Sequence, residues 1–70
     1  MEKLAFETKE YRGYRIKAFY LEEGNRDAKI ELWNDKDLVK STTAPAYRIW
    51  NYHAHAMDII DEHIMPGTVA

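Results

Sequence analysis

Three histidines, a single serine and a group of helical carboxylates are the residues of this chain with chemistry to offer. "HAH" (His53 to His55) has the spacing of a ligand pair, but only on a strand; on a helix the two rings point about 200° apart. His53 falls within an apolar run and is expected as a core or boundary histidine with its ring nitrogen satisfied. His55, Asp58 and Glu62, spaced by three and four, share an outer helix face. Such a set could grip a divalent cation, but without HExxH or a second cluster it reads as a solvated polar face. Ser41, beside Thr42 and Thr43, suits capping or strand termination better than nucleophilic attack. Gly13, Gly24 and Gly67 are isolated, so no phosphate cradle is visible. With no cysteine, thiol catalysis, iron–sulfur clusters and cysteine-based zinc sites are removed together. Catalysis is therefore not expected, and no cofactor or metal is expected.

The elements that must position the remaining residues follow from hydrophobic period. Residues 4–8, "LAFET", suit a short first strand, and "YRG" (Tyr11 to Gly13) suits a turn. From Tyr14 the alternation is clean: Tyr14, Ile16, Ala18 and Tyr20 face one way, and Arg15, Lys17, Phe19 and Leu21 the other. "EEGNRD" (Glu22 to Asp27) is a polar turn with Gly24-Asn25 at its centre. In "AKIELW", Ala28, Ile30 and Leu32 oppose Lys29, Glu31 and Trp33. "NDKD" (Asn34 to Asp37) turns into a further strand, "LVKST" (Leu38 to Thr42). The period then changes. Thr42 to Pro45 suits a helix start, with a threonine N-cap and the proline in the first turn. Apolar residues next recur at Ala46, Ile49, Trp50, His53, Met57, Ile60 and Ile64, a single helical stripe. "MPG" (Met65 to Gly67) stops it.

The expected fold is α+β: a three- to four-stranded antiparallel meander sheet packed on one face by a single C-terminal helix (β-β-β-α). With 70 residues the chain is expected as one small domain: sheet over about 4–42, helix over about 44–64, frayed tail over 65–70. Ile16, Ala18, Ile30 and Leu32 should meet Ile49, Trp50, Met57 and Ile60. "MEKLAFETKE" has no apolar core of signal-peptide length, and no run approaches the roughly 20 apolar residues of a membrane span. A cytoplasmic protein without membrane contact is expected.

Two surfaces remain for function. On the open sheet face, Arg12, Arg15, Lys17 and Lys29, with Lys40 nearby, interleave with Phe19 and Trp33. A sheet uses such residues to hold phosphates and stack bases. Net charge is −2, carried wholly by residues 44–70, so any nucleic-acid face lies in the earlier part. With "YRG", the arrangement resembles plant AP2-type and integrase N-terminal DNA-binding domains, in which a three-stranded sheet backed by a helix enters the major groove. That resemblance implies DNA binding through the sheet.

The second surface is the helix flank: Tyr52, Ala56, Ile59 and His63. Together with Phe19 and Trp33 it gives more large apolar groups than one small core hides, a surplus that marks an interface. The favoured expectation is a non-enzymatic protein–protein interaction module acting through Phe19, Trp33, Tyr52, Ile59 and His63. It could be an adaptor, a regulator of a larger complex, a phage-type inhibitor or a homodimer. Weak nucleic-acid binding by the basic-aromatic sheet face is the alternative.

Overall fold

The computed structural model describes residues 3–21 and 26–65. Four strands form one antiparallel sheet in sequence order: β1 (Lys3–Glu7), β2 (Tyr14–Tyr20), β3 (Asp27–Asn34) and β4 (Asp37–Pro45). A 3₁₀ turn (Ala46–Arg48) leads into helices α1 (Ile49–Ala54) and α2 (Ala56–Ile64), which lie on one face of the sheet. The α+β meander is as the hydrophobic periods require. The turn expected at Glu22 to Asp27, with Gly24-Asn25, lies largely outside the described residues. So does most of the tail, including the Pro66-Gly67 stop; within them α2 closes at Met65, whose N–H donates to Asp61 O.

Turn chemistry sets the register. Tyr11 and Tyr14 exchange both backbone hydrogen bonds around Arg12-Gly13. Both turn residues have positive φ (54° and 85°), as a type I′ hairpin requires. β1 ends earlier, at Glu7, but its ladder continues through a side chain: Thr8 Oγ1 accepts from Ile16 N–H at 2.9 Å, and Thr8 N–H donates to Ile16 O. Asn34 pairs with Asp37 around Asp35-Lys36, with Asp35 at φ 55°. Asp35 N–H donates to Gly13 O, tying the two turns at this end of the sheet together.

Three expectations about the second half of the chain need correction. β4 does not end at Thr42 but runs on to Pro45, so Ser41 and Thr42 lie within a strand and cap nothing. Pro45 sits at φ −54°, ψ 136° and the 3₁₀ turn begins without a side-chain cap. The helix is not one rod over 44–64: His55, at φ −113° and ψ 22°, interrupts it between α1 and α2.

The buried stripe is narrower than expected and centred on one side of the expected one: Ile49, Ala56 and Ile60 fall within about 40° of one another at about 100° per residue. Ile49, Ala56 and Ile60 are buried, whereas Trp50 and Met57 are each 58% exposed and His53 is exposed. Ile49 and Ile60 pack with Ile16, Ala18, Ile30 and Leu32 as expected; Trp50 and Met57 do not join them. Ala56 takes the buried place instead, and its single methyl permits close approach of the helix. Trp50 turns to the sheet edge and stacks on Phe6 of β1, with ring centroids 5.9 Å apart. His53 meets the same Phe6 edge-on at 5.1 Å, so it is a surface aromatic contact and not a core histidine.

Candidate interaction site

The outer face of the sheet, away from the helices, is ordered by the strand register into rows. Leu4, Phe19, Lys29 and Thr43 stand across from one another, as do Glu7, Lys17, Glu31 and Ser41; Arg15, Trp33 and Leu38 form the third row. Opposite charges in a row attract across strands. Arg15 Nη1 donates to Glu7 Oε2 at 2.7 Å and Lys17 Nζ lies 3.9 Å from the same oxygen. Lys29 Nζ sits 3.2 Å from Glu31 Oε2, and Trp33 Nε1–H donates to Glu31 Oε1 at 3.0 Å. Glu31 is itself buried, with its charge met by these two donors. Each aromatic of this face is covered by a lysine: Lys17 Nζ is 4.8 Å from the Trp33 ring centre and Lys29 Nζ is 5.1 Å from that of Phe19. Such contacts contribute about 0.5–1 kcal/mol each at exposed sites. Phe19, Trp33, Arg15, Lys17 and Lys29 thus share one surface, as the alternation requires, in a network that occupies both its cations and its rings.

Arg12 and Lys40 are not part of that surface. Arg12 projects from the type I′ turn towards α2, where its Nη1 donates to Asp61 Oδ1 at 2.9 Å. Tyr11 Oη donates to the same carboxylate at 3.0 and 3.2 Å. The Asp61 hydrogen bond and charge raise both the Tyr11 phenol and the Arg12 guanidinium above their ordinary pKa values. "YRG" is therefore a clasp between the first hairpin and the C-terminal helix. Lys40 stands opposite Leu32, on the helix side of the sheet.

There Lys40 forms part of a groove of about 880 Å³ beside α2. Its floor is Ile16, Ile30 and Leu32, with Thr42 and Lys40 rising from β4 on one side. Tyr52, Ile59 and His63, with Asp58 and Glu62 at the rim, form the helical wall. The floor residues are nearly closed by their neighbours (Leu32 is 6% exposed), so the accessible apolar surface comes from Tyr52, Ile59 and the Lys40 stem. The His63 ring leans edge-on against Tyr14 at 5.5 Å.

The groove exists because the cover is narrower than the sheet. Four strands at ~4.8 Å spacing span ~19 Å, whereas one helix is ~10 Å across with its side chains. The helices lie closest to β2, and β4 is left exposed from Asp37 to Thr43. Helical spacing alone placed Tyr52, Ile59 and His63 on one flank. Their partners Lys40 and Thr42 went unrecognised, although the width of a four-stranded sheet was a signal for them. Of the candidate interface, Tyr52, Ile59 and His63 meet at the groove, while Phe19 and Trp33 lie on the opposite side of the sheet.

No group of three or more histidine and acidic side chains among the described residues could hold a metal ion. His55 Nδ1 lies 3.8 Å from Asp58 Oδ2 in an exposed pair, and Glu62 turns to the groove rim. No helix among them is long and apolar enough to cross a membrane. Compared with known proteins, the chain matches no family model, no curated protein and no solved structure.

Proposed function

We propose that this protein is a non-enzymatic protein-interaction module whose binding surface is the groove between α2 and the β3–β4 half of the sheet. The observation that carries the reading is the convergence of Tyr52, Ile59 and His63 on that groove, opposite Lys40 and Thr42. A concave, mostly apolar surface with a few polar groups at its rim suits recognition of a partner's side chains. The nucleic-acid alternative draws less support. On the outer face three cations, Arg15, Lys17 and Lys29, meet two carboxylates, Glu7 and Glu31, and Arg12 is engaged with Asp61. A phosphate would have to displace those contacts.

The test is a peptide-display selection on the wild-type protein, counter-selected on Thr42→Arg. Thr42 is exposed and faces the groove, so the larger side chain fills it from the solvent side without replacing any core residue. The reading expects enriched sequences that bind the wild type, fail on the plugged variant and tolerate raised salt. Enriched sequences that ignore Thr42→Arg but are lost on Arg15→Glu with Lys17→Glu would overturn it, as would no enrichment at all.

A further inference from the structure

We infer that the groove accepts an amphipathic helix bearing a lysine- or arginine-rich flank, which lies beside α2 and completes the helical layer over β3 and β4. The inference rests on the module reading above and adds the partner's shape and charge. Shape comes first. The part of the sheet left uncovered is about one helix diameter wide. An added strand at the β4 edge is the other way to use this half of the molecule, but β4 is defended against it. Its register shifts at Leu38–Lys40, where Val39 is the extra residue, and Lys40 follows at once. Bulges and edge lysines are devices that discourage edge pairing. β1, the other edge, shifts register in the same way between Leu4 and Phe6.

Charge then selects the occupant. Asp58 and Glu62, one helical turn apart, make the α2 rim acidic, with His55 3.8 Å from Asp58 and one cation, Lys40, across the groove on β4. Arg48 is the only Lys or Arg in residues 44–70, which carry the whole net −2, and it lies over the Tyr47 ring. A second copy placing its own α2 in the groove would set Asp58 and Glu62 against Asp58 and Glu62. A helix with cations on that flank meets opposite charge, and its aliphatic stripe meets Ile59, Tyr52 and the Lys40 stem.

The experiment uses two synthetic helices of about 14 residues, ~21 Å long, with the same leucine stripe. One carries lysine on the flank beside that stripe and the other glutamate. Binding is followed by amide chemical shifts of the labelled protein and by the circular dichroism of the peptide. The inference expects the lysine peptide to gain helicity and to shift Lys40, Thr42 and Ile59 more than Lys17 and Lys29. The glutamate peptide should bind roughly three- to tenfold more weakly, as surface charge contacts with that acidic rim allow. Asp58→Lys with Glu62→Lys should reverse that order. Thr42→Trp, an uncharged plug, should abolish binding of both peptides; unchanged melting shows that the variant is folded. Equal binding of the two peptides, shifts confined to the outer face, or no binding overturns the helix. Self-association blocked by Thr42→Trp would also overturn it, placing a second copy in the groove while leaving the module reading intact. Selected peptides that need the groove but are extended or acidic would have the same effect. Only the absence of any groove-dependent binder would overturn both.

Discussion

Replacing Ile60 and Met57 in turn separates the observed helix packing from the wider buried stripe expected from the sequence. Both residues lie on the single stripe predicted by a 100° period. In the structure Ile60 is fully buried and Met57 is 58% exposed. Ile60→Ala removes buried aliphatic atoms and leaves a cavity, at a cost of about 2–5 kcal/mol. A domain of this size without a disulfide has only about 3–5 kcal/mol in total, so Ile60→Ala should be largely unfolded at room temperature. Ile60→Val keeps the measurement in range, with an expected loss of about 0.5–1.5 kcal/mol. Met57→Ala should stay within about 0.5 kcal/mol of the wild type, because alanine favours helix and little buried surface is lost. Urea unfolding followed by far-ultraviolet circular dichroism reads these changes. With a slope of about 1 kcal/mol per molar urea, Ile60→Val should lower the midpoint by roughly 0.5–1.5 M while Met57→Ala barely moves it. A Met57→Ala loss equal to that of Ile60→Val would mean that α2 is rotated and the groove wall misassigned.

Other consequences can be checked in the same way. Gly13→Ala should cost about 1–2 kcal/mol by urea unfolding. The cause is the backbone at φ 85°, since an added Cβ would meet nothing closer than Asn34 Oδ1 at 3.9 Å. Thr8→Val removes the acceptor of the Ile16 N–H, a loss expected at about 1–3 kcal/mol in the same assay. The Tyr11 phenol is held above its ordinary pKa by Asp61, so the folded state keeps a proton that the unfolded chain releases. Its contribution is full below the unfolded value of about 10 and is lost as pH rises through the folded pKa. Tyr11→Phe should therefore flatten the alkaline fall in stability, and an unchanged alkaline limb would contradict the Tyr11–Asp61 contact. Glu7→Gln with Glu31→Gln removes the two carboxylates that Arg15, Lys17 and Lys29 meet on the outer face. The variant should gain duplex-DNA binding with a log–log salt slope of about −2 to −3, read by fluorescence anisotropy. Wild-type binding of equal strength would show that the carboxylates do not restrain this face.

The sheet was legible because its signals are local. Alternation from Tyr14 to Tyr20 and from Ala28 to Trp33 assigned each side chain to the correct face, and short polar turns set a meander. The helix was legible in existence but not in detail. Nothing in "NYHAHAM" marks a break at His55, and a stripe centred on the largest apolar groups puts Trp50, His53 and Met57 in the core, whereas the sheet takes the side centred on Ile49, Ala56 and Ile60. The extension of β4 to Pro45 overrode a helix-start pattern, because Thr42, Thr43 and Ala44 find ladder partners in Ile30, Lys29 and Ala28. The partners of the charged groups were not legible at all. Arg12–Asp61 spans 49 residues, and only the turn at Arg12-Gly13 aims the guanidinium there. The groove likewise joins β4 to α2, a pairing visible only once the sheet's width is set against that of one helix.

The most direct test of the groove as the binding surface compares two variants against one selected peptide. Thr42→Trp fills the groove; Arg15→Glu with Lys17→Glu reverses charge on the opposite side of the sheet. The account predicts that the peptide loses the first variant by at least about tenfold, roughly 1.4 kcal/mol, and keeps its affinity for the second. Retained binding to Thr42→Trp with loss on the charge reversal would contradict it and move function to the outer face.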